Sequence, residues 1–239
     1  GSRDLKAVIQ AVVTAYKNQK VVLAAMGAHV IKVGLTPILI DLLNRDVITA
    51  VALNGAGIIH DFELAFAGKT SEDVAAALGD GSFGMAKETC EHLGNAILLA
   101  AEENIGLGEA VGRYINQNEF PYAAQSLLAA AERLKKPATV HVAIGTDIIH
   151  MHPTFDPEAA GKATHLDFRL FSAIVAKLSQ GVYFNIGSAV ILPEIFLKAV
   201  SLVRNLGHSV ADLTTVNMDF IRHYRPMTNV VNRPTADHG

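Results

Sequence analysis

The run from Val47 to Asp61 constrains this chain more than any other stretch. It reads Val-Ile-Thr-Ala-Val-Ala-Leu-Asn-Gly-Ala-Gly-Ile-Ile-His-Asp. Its first half is β-branched, small or apolar, the pattern of a strand buried on both faces, and it reads as the central strand of a sheet. The run breaks at Asn54-Gly55-Ala56-Gly57, and helical spacing follows from Ile58 to about Phe66. A strand, a small-residue turn and a helix expose backbone N–H groups where a pyrophosphate can be held. An ordinary tight βα connection that binds nothing gives the same pattern.

The rest of the chain repeats this grammar. Helical spacing over Leu5–Asn18 precedes a short strand, Val21–Met26, closed by Gly27, and a helix follows over Gly34–Asn44 with Pro37 in its first turn. From 71 to 134 the pattern is almost all helical: a start capped at Ser71-Glu-Asp, then Phe83–Asn104, Gly106–Asn116 and Tyr122–Leu134. This block reads as an excursion between strands and as a place for subunit contacts. Strands then return at Ala138–Ile144, Gly181–Asn185 and Leu213–Val216, with helices at Leu166–Leu178 and Pro193–Asn205. The expected fold is one α/β domain over residues 1–239, a Rossmann-like parallel sheet with helices on both faces.

Composition narrows the function. Of 239 residues, 50% are hydrophobic and 18% charged, against roughly 25% charged in an average soluble domain. Such a surplus is hidden in a membrane or in a subunit interface. No window reaches the roughly 18 unbroken apolar residues of a membrane span, so a homo-oligomer, dimer or tetramer, is expected. A net charge of −3 with no basic stripe gives nucleic-acid binding no support. The single Cys90 suits a reducing cytoplasm and, between Glu88 and Glu91, reads as packing. Gly1-Ser2 reads as a cloning remnant, with no signal peptide behind it.

In open parallel sheets, ligands sit outside the carboxyl ends of the strands. Those ends are Gly27-Ala28-His29, Asn54–Gly57, Gly145-Thr146-Asp147, Asn185-Ile-Gly187-Ser188 and Thr214-Thr215. Small residues recur there, Asp147 can accept from a ribose, and Asn54 and Asn185 can donate and accept. Together they suggest a nucleotide-sized ligand.

The order of these motifs resembles the deoxyhypusine synthase family, whose fold is a Rossmann-like NAD-binding domain. Gly34 through Asp61 carries the resemblance best. The family has a Thr-Ala-Gly-Gly-Val-Glu-Glu-Asp-like sequence where this chain has Asn54-Gly-Ala-Gly-Ile-Ile-His-Asp61. Thr146-Asp147 and Gly187-Ser188 match a family Thr-Asp and a glycine cluster. The resemblance therefore implies an NAD site formed by Asn54, Gly55, Ala56, Gly57, Asp61, Thr146, Asp147, Gly187 and Ser188. It departs where the chemistry lies. A family Lys-His pair is replaced by Ile191-Leu192, there is no Trp, and no Ser-Trp-Gly-Lys stretch supplies the family's imine-forming lysine. Hypusine synthesis does not carry over.

Histidines supply the remaining candidates. His141, Asp147, His150 and His152 lie in one strand-to-loop segment, and His150 and His152 would share a side of an extended chain. They suit proton transfer, a two-His, one-carboxylate metal set for a hydrolase, or plain hydrogen bonding. His60, beside the glycine turn, is expected to be neutral because a helix N-terminus disfavours its charge. His29 can reach the same crevice, Lys32 reads as a solvated lysine, and Asp219, Arg222, His223 and Arg225 as a solvated tail. The leading expectation is an NAD-binding protein that acts on a small amine or amino-acid-derived substrate by hydride transfer, with His150, His152 and His60 moving protons. The alternatives are a metal-dependent hydrolase and a non-catalytic nucleotide-binding oligomer.

Overall fold

The computed structural model describes residues 2–236; Gly1 of the expected remnant and the terminal 237–239 lie outside it. Helix α1 (Ser2–Lys17) leads into β1 (Val22–Met26), a one-turn α2 (His29–Lys32) and α3 (Thr36–Asn44). Strand β2 (Ala50–Asn54) runs without a spacer into α4 (Gly55–Ala67). The helical block is α5 (Val74–Ala77), α6 (Lys87–Glu103), α7 (Leu107–Gln117) and α8 (Leu127–Arg133). Strand β3 (Ala138–His141), α9 (Pro157–Val175), β4 (Val182–Ile186), α10 (Ile191–Asn205) and β5 (Thr214–Met218) follow, then α11 (Tyr224–Pro226) and a π-turn.

The sheet order is β3-β2-β1-β4-β5, and every pairing is parallel. This is the strand order of a Rossmann-like sheet, which reverses between β1 and β4. The central strand is therefore β1, not the stretch from Val47. β1 is buried along its whole length, because both its neighbours and both faces are covered. Its side chains alternate: Val22, Ala24 and Met26 join the core under α3, α4 and α6–α8, while Leu23 and Ala25 join the core under α9 and α10.

Several boundaries moved for local reasons. The third strand stops at His141 instead of Ile144: His141 pairs with Asn54, the last residue of β2, and the next N–H, Val142, turns to Thr164 Oγ1 at 3.0 Å. Ser126 splits the alanine-rich helix, since its hydroxyl accepts from Ala129 N–H at 2.9 Å as an N-cap. Asp156 starts α9 nine residues early by accepting from Glu158 and Ala159 N–H with Pro157 behind it. Asp73, not Ser71, caps α5. The helical block lies between β2 and β3 and packs into the core through Leu93, Ile97, Leu107 and Val111.

Candidate functional site

A parallel sheet brings all its carboxyl ends to one edge, and here that edge divides in two. At the reversal between β1 and β4 the loops are pinched together. A Cβ on Gly27 would lie 2.3 Å from Gly187 O, so glycine at 27 lets the two backbones touch. Gly187 itself has φ +63° and open space beside it. The hydroxyl of buried Ser188 accepts from Leu192 N–H at 3.3 Å, and Asn185 Nδ2 donates to Ser188 O and Asn217 Oδ1, each at 2.8 Å.

Beyond β2 and β3 the edge opens into a cleft of about 230 Å³ between α2, α4, the 71–83 segment and the 146–148 loop. Ala56, His60, Thr146 and Asp147 border it, together with Lys32, Glu63 and Glu72. The glycine turn does not leave the head of α4 bare. A Cβ on Gly55 would lie 2.0 Å from Asp147 Oδ2, so Gly55 makes room for a carboxylate of the chain itself. Gly57 likewise packs close on Leu53. An anion already seated at Gly55 repels a phosphate there.

His150 holds the backbone of the loop that carries Asp147. Its Nδ1 accepts from Gly145 N–H at 3.0 Å and Asp147 N–H at 3.2 Å, so its proton sits on Nε2, 4.0 Å from Asp147 Oδ2. Four ångströms is too long for a hydrogen bond. Both atoms are buried and lack a partner among the described residues. Burial pushes Asp147 above the usual carboxylate range against the pull of His150, and burial pushes His150 below its ordinary value. Residues 148–151 form a 3-10 turn, not an extended chain. His152 therefore points elsewhere, with Nδ1 on Thr154 Oγ1 at 2.7 Å, and it does not border the cleft.

His60 is the histidine that does. Thr70 gives its one hydroxyl proton to Glu63 Oε2 at 2.5 Å, so its oxygen accepts from His60 Nδ1–H at 2.6 Å. The lone pair of His60 is left on Nε2. Glu63 is fixed in turn by Thr89 Oγ1 at 3.3 Å. Burial is the main reason His60 lies below its ordinary value; Glu63 opposes this, while Lys32 and His29 add to it. The expectation of a neutral His60 stands on burial and not on the helix end, since His60 lies in the second turn of α4. Chain Glu63–Thr70–His60 was not read from sequence, because a Thr ten residues away carries no periodic signal.

Two expected residues are structural. Asp61 is fully buried: Oδ2 accepts from Ser126 Oγ at 2.6 Å and Leu128 N–H at 3.2 Å, and Oδ1 from Leu127 N–H at 2.7 Å. It holds the N-terminus of α8 and faces no crevice. His141 is buried with Nε2 against Thr139 Oγ1 and its ring edge-on to Phe171, and burial pushes its pKa down to about 3. The metal set is not assembled. Among the described residues no group of three His, Cys, Asp or Glu side chains is gathered to hold an ion.

Among the described residues, buried polar atoms without partners recur at this edge, as they do elsewhere at Thr36, Asp167 and Tyr183. Asn54 Oδ1, Asp147 Oδ2, His150 Nε2 and Asn185 Oδ1 are buried without hydrogen-bond partners, at the ends of two strands and in the loop after a third. A hollow of about 280 Å³ at the opposite edge, around Lys136 and Pro137, is different. Its charged groups are paired: Glu132 with Lys135, Glu109 with Arg113, Lys136 with Asp46. Asn54, Thr146 and Asp147 bring to this edge the donor and acceptor types that ribose hydroxyls and a carboxamide take, so the residues present fit that part of NAD.

No family model matches the chain, and no curated protein sequence does. Among solved structures it is similar to AgrE in its ternary complex with ornithine and NAD+, at 12% identity and TM-score 0.52, over 89% of this chain and 30% of that one. It is similar to a LOR/SDH protein from Methanococcus maripaludis at 10% identity and TM-score 0.51, over 90% of this chain and 61% of that one. A deoxyhypusine synthase-like chain from Entamoeba histolytica overlaps more loosely, at 14% identity and TM-score 0.42, over 70% of this chain and 59% of that one. In each case the chain spans less than two thirds of its neighbour's length. Among the described residues no helix is long and apolar enough to cross a membrane. The likeness is one of fold: an all-parallel α/β sheet flanked by helices.

Proposed function

We propose that this chain binds NAD along the carboxyl edge of its sheet and belongs to an enzyme acting on a small amine or amino-acid-derived substrate, other than the one that makes deoxyhypusine. The polar groups that Asn54, Thr146 and Asp147 bring to that edge carry this reading. Asn54 and Thr146 would hold ribose and carboxamide groups, with Gly187–Ser188 allowing close backbone approach. When bound, NAD supplies a hydride acceptor that can return what it takes. His60 accepts a proton at Nε2, oriented by Thr70 and Glu63. His150 positions Asp147, and His152 has no part.

A homo-oligomer, dimer or tetramer, in the cytoplasm belongs to this proposal. The stripe Leu5, Ile9, Val13 and Tyr16, exposed along α1, supports association. A ligand that binds only the folded state raises its melting temperature. At a hundredfold excess over Kd, NAD should raise Tm by about 5 °C or more. No rise at millimolar NAD refutes the cofactor. A rise without turnover of any amine, unchanged in His60→Gln, would favour a non-catalytic nucleotide-binding oligomer.

A further inference from the structure

Residues 71–85 border the cleft beside His60 yet are bonded mostly to themselves. Across this stretch only Gly84 is buried, while Val74, Leu78 and Met85 are exposed. Among the described residues, the hydrogen bonds of 72–85 all end within the segment. Asp73 caps the single turn of α5, Phe83 N–H donates to Ala77 O at 3.0 Å, and Gly84 N–H donates to Glu72 Oε2 at 3.0 Å. That last bond brings the two ends together and closes an Ω-loop.

Its polar and close-packed attachments to the body lie at its ends. At one end Glu63 of α4 accepts from Thr70 Oγ1 at 2.5 Å and from Ser71 N–H at 3.4 Å. Ser71 has φ +86°, which residues other than glycine seldom adopt. At the other end Gly84 rests on the 3-10 turn after β3, where an added Cβ would lie 2.8 Å from Ile148 Cγ2 and from Met151 Cε. Ala86 then opens α6. Between these ends Ser71, Glu72, Val74 and Phe83 form one wall of the cleft. A wall with so little of itself in the core opens at less cost than the sheet unfolds.

We infer that residues 71–85 form a lid that swings as one unit about Ser71 and Ala86, is latched where Gly84 meets Ile148 and Met151, and controls access to the cleft and to His60. Thr70, which holds His60 Nδ1, stays with the body on Glu63, so the histidine keeps its orientation as the lid moves. The lid follows from the bonding of the segment and does not depend on which ligand the cleft takes.

Hydrogen exchange of the whole chain tests the unit. Amides of Ala77, Leu78, Phe83 and Gly84 should share one degree of protection, about a hundredfold below that of Leu93 and Ile97 in α6. Met151→Ala removes the surface under Gly84 without altering the lid, and should lower lid protection about tenfold with α6 unchanged. Gly84→Ala, which presses on the same latch from the lid side, should do likewise. The control Gly79→Ala, whose added Cβ meets nothing, should change neither. Carbethoxylation by diethyl pyrocarbonate reads the gate: in Met151→Ala, His60 should react about tenfold faster and exposed His208 at its wild-type rate. Protection equal to that of α6, or scattered among the four amides, would overturn the unit. Unchanged exchange in both latch variants would overturn the latch, and an unchanged His60 rate in a chain whose lid has loosened would overturn the gate.

Discussion

Asp61 and Asp147 flank the same helix, one within α4 and one at its head, and both are buried. Burial raises both pKa values. They differ in their partners. Asp61 receives three donors from the start of α8, while Asp147 Oδ2 receives none. Burial and a perturbed pKa are therefore shared by a structural carboxylate and a candidate ligand-binding one. Satisfied hydrogen bonds tell them apart.

The largest expected effect tests that contrast directly. Asp61→Ala strands Ser126, Leu127 and Leu128 without an acceptor and should cost about 3–5 kcal/mol. Asp147→Asn removes a charge that burial disfavours and should change stability by no more than about 1 kcal/mol. Urea unfolding of the two variants measures the difference, and equal losses would break the comparison.

The next effect is set by pH. Burial pushes Asp61 up to about 6 from 3.8, against the pull of its three hydrogen bonds. A folded pKa above the unfolded one means the folded state holds the proton more tightly. The stability it contributes is thus full below about pH 4 and lost as pH rises through about 6, on the order of 3 kcal/mol. The cost of Asp61→Ala should be larger near pH 4 than near pH 8, and a cost that grows with pH would reverse the sign.

Much of this was legible in the sequence, and the rest was lost for physical reasons. Strand–turn–helix order and buried apolar runs gave the parallel sheet, because a two-face-buried strand must be continuous in apolar residues. Which strand sits in the middle is a matter of crossovers, so Val47–Asn54 was mistaken for the centre that β1 occupies. The glycines near Asn54 were legible as close approach, but not that Asp147 is what approaches. Asp61 looked like a site residue because its partners, Ser126 to Leu128, lie more than sixty residues away. Short-range caps such as Asp156 with Pro157 were present in the sequence and underweighted.

Two smaller effects sharpen the contrast further. Gly55→Ala drives a methyl group into Asp147 Oδ2 and should cost about 1–3 kcal/mol. The double variant Gly55→Ala/Asp147→Ala should recover most of that loss, as thermal unfolding of both can show; no recovery would mean that Gly55 is needed for another reason. Glu63 holds the pKa of His60 up. Glu63→Gln should therefore lower it further, seen by NMR titration, and a rise would contradict the Glu63–Thr70–His60 chain.

The account turns on whether the carboxyl edge of the sheet holds a dinucleotide. Amide chemical shifts of the isotope-labelled chain, followed as NAD is added, address this residue by residue. Saturable shifts should gather at 54–57, 145–148 and 185–188 and leave the paired hollow around Lys136 unmoved. Shifts gathered around Lys136 instead, or none at saturating NAD, would contradict it.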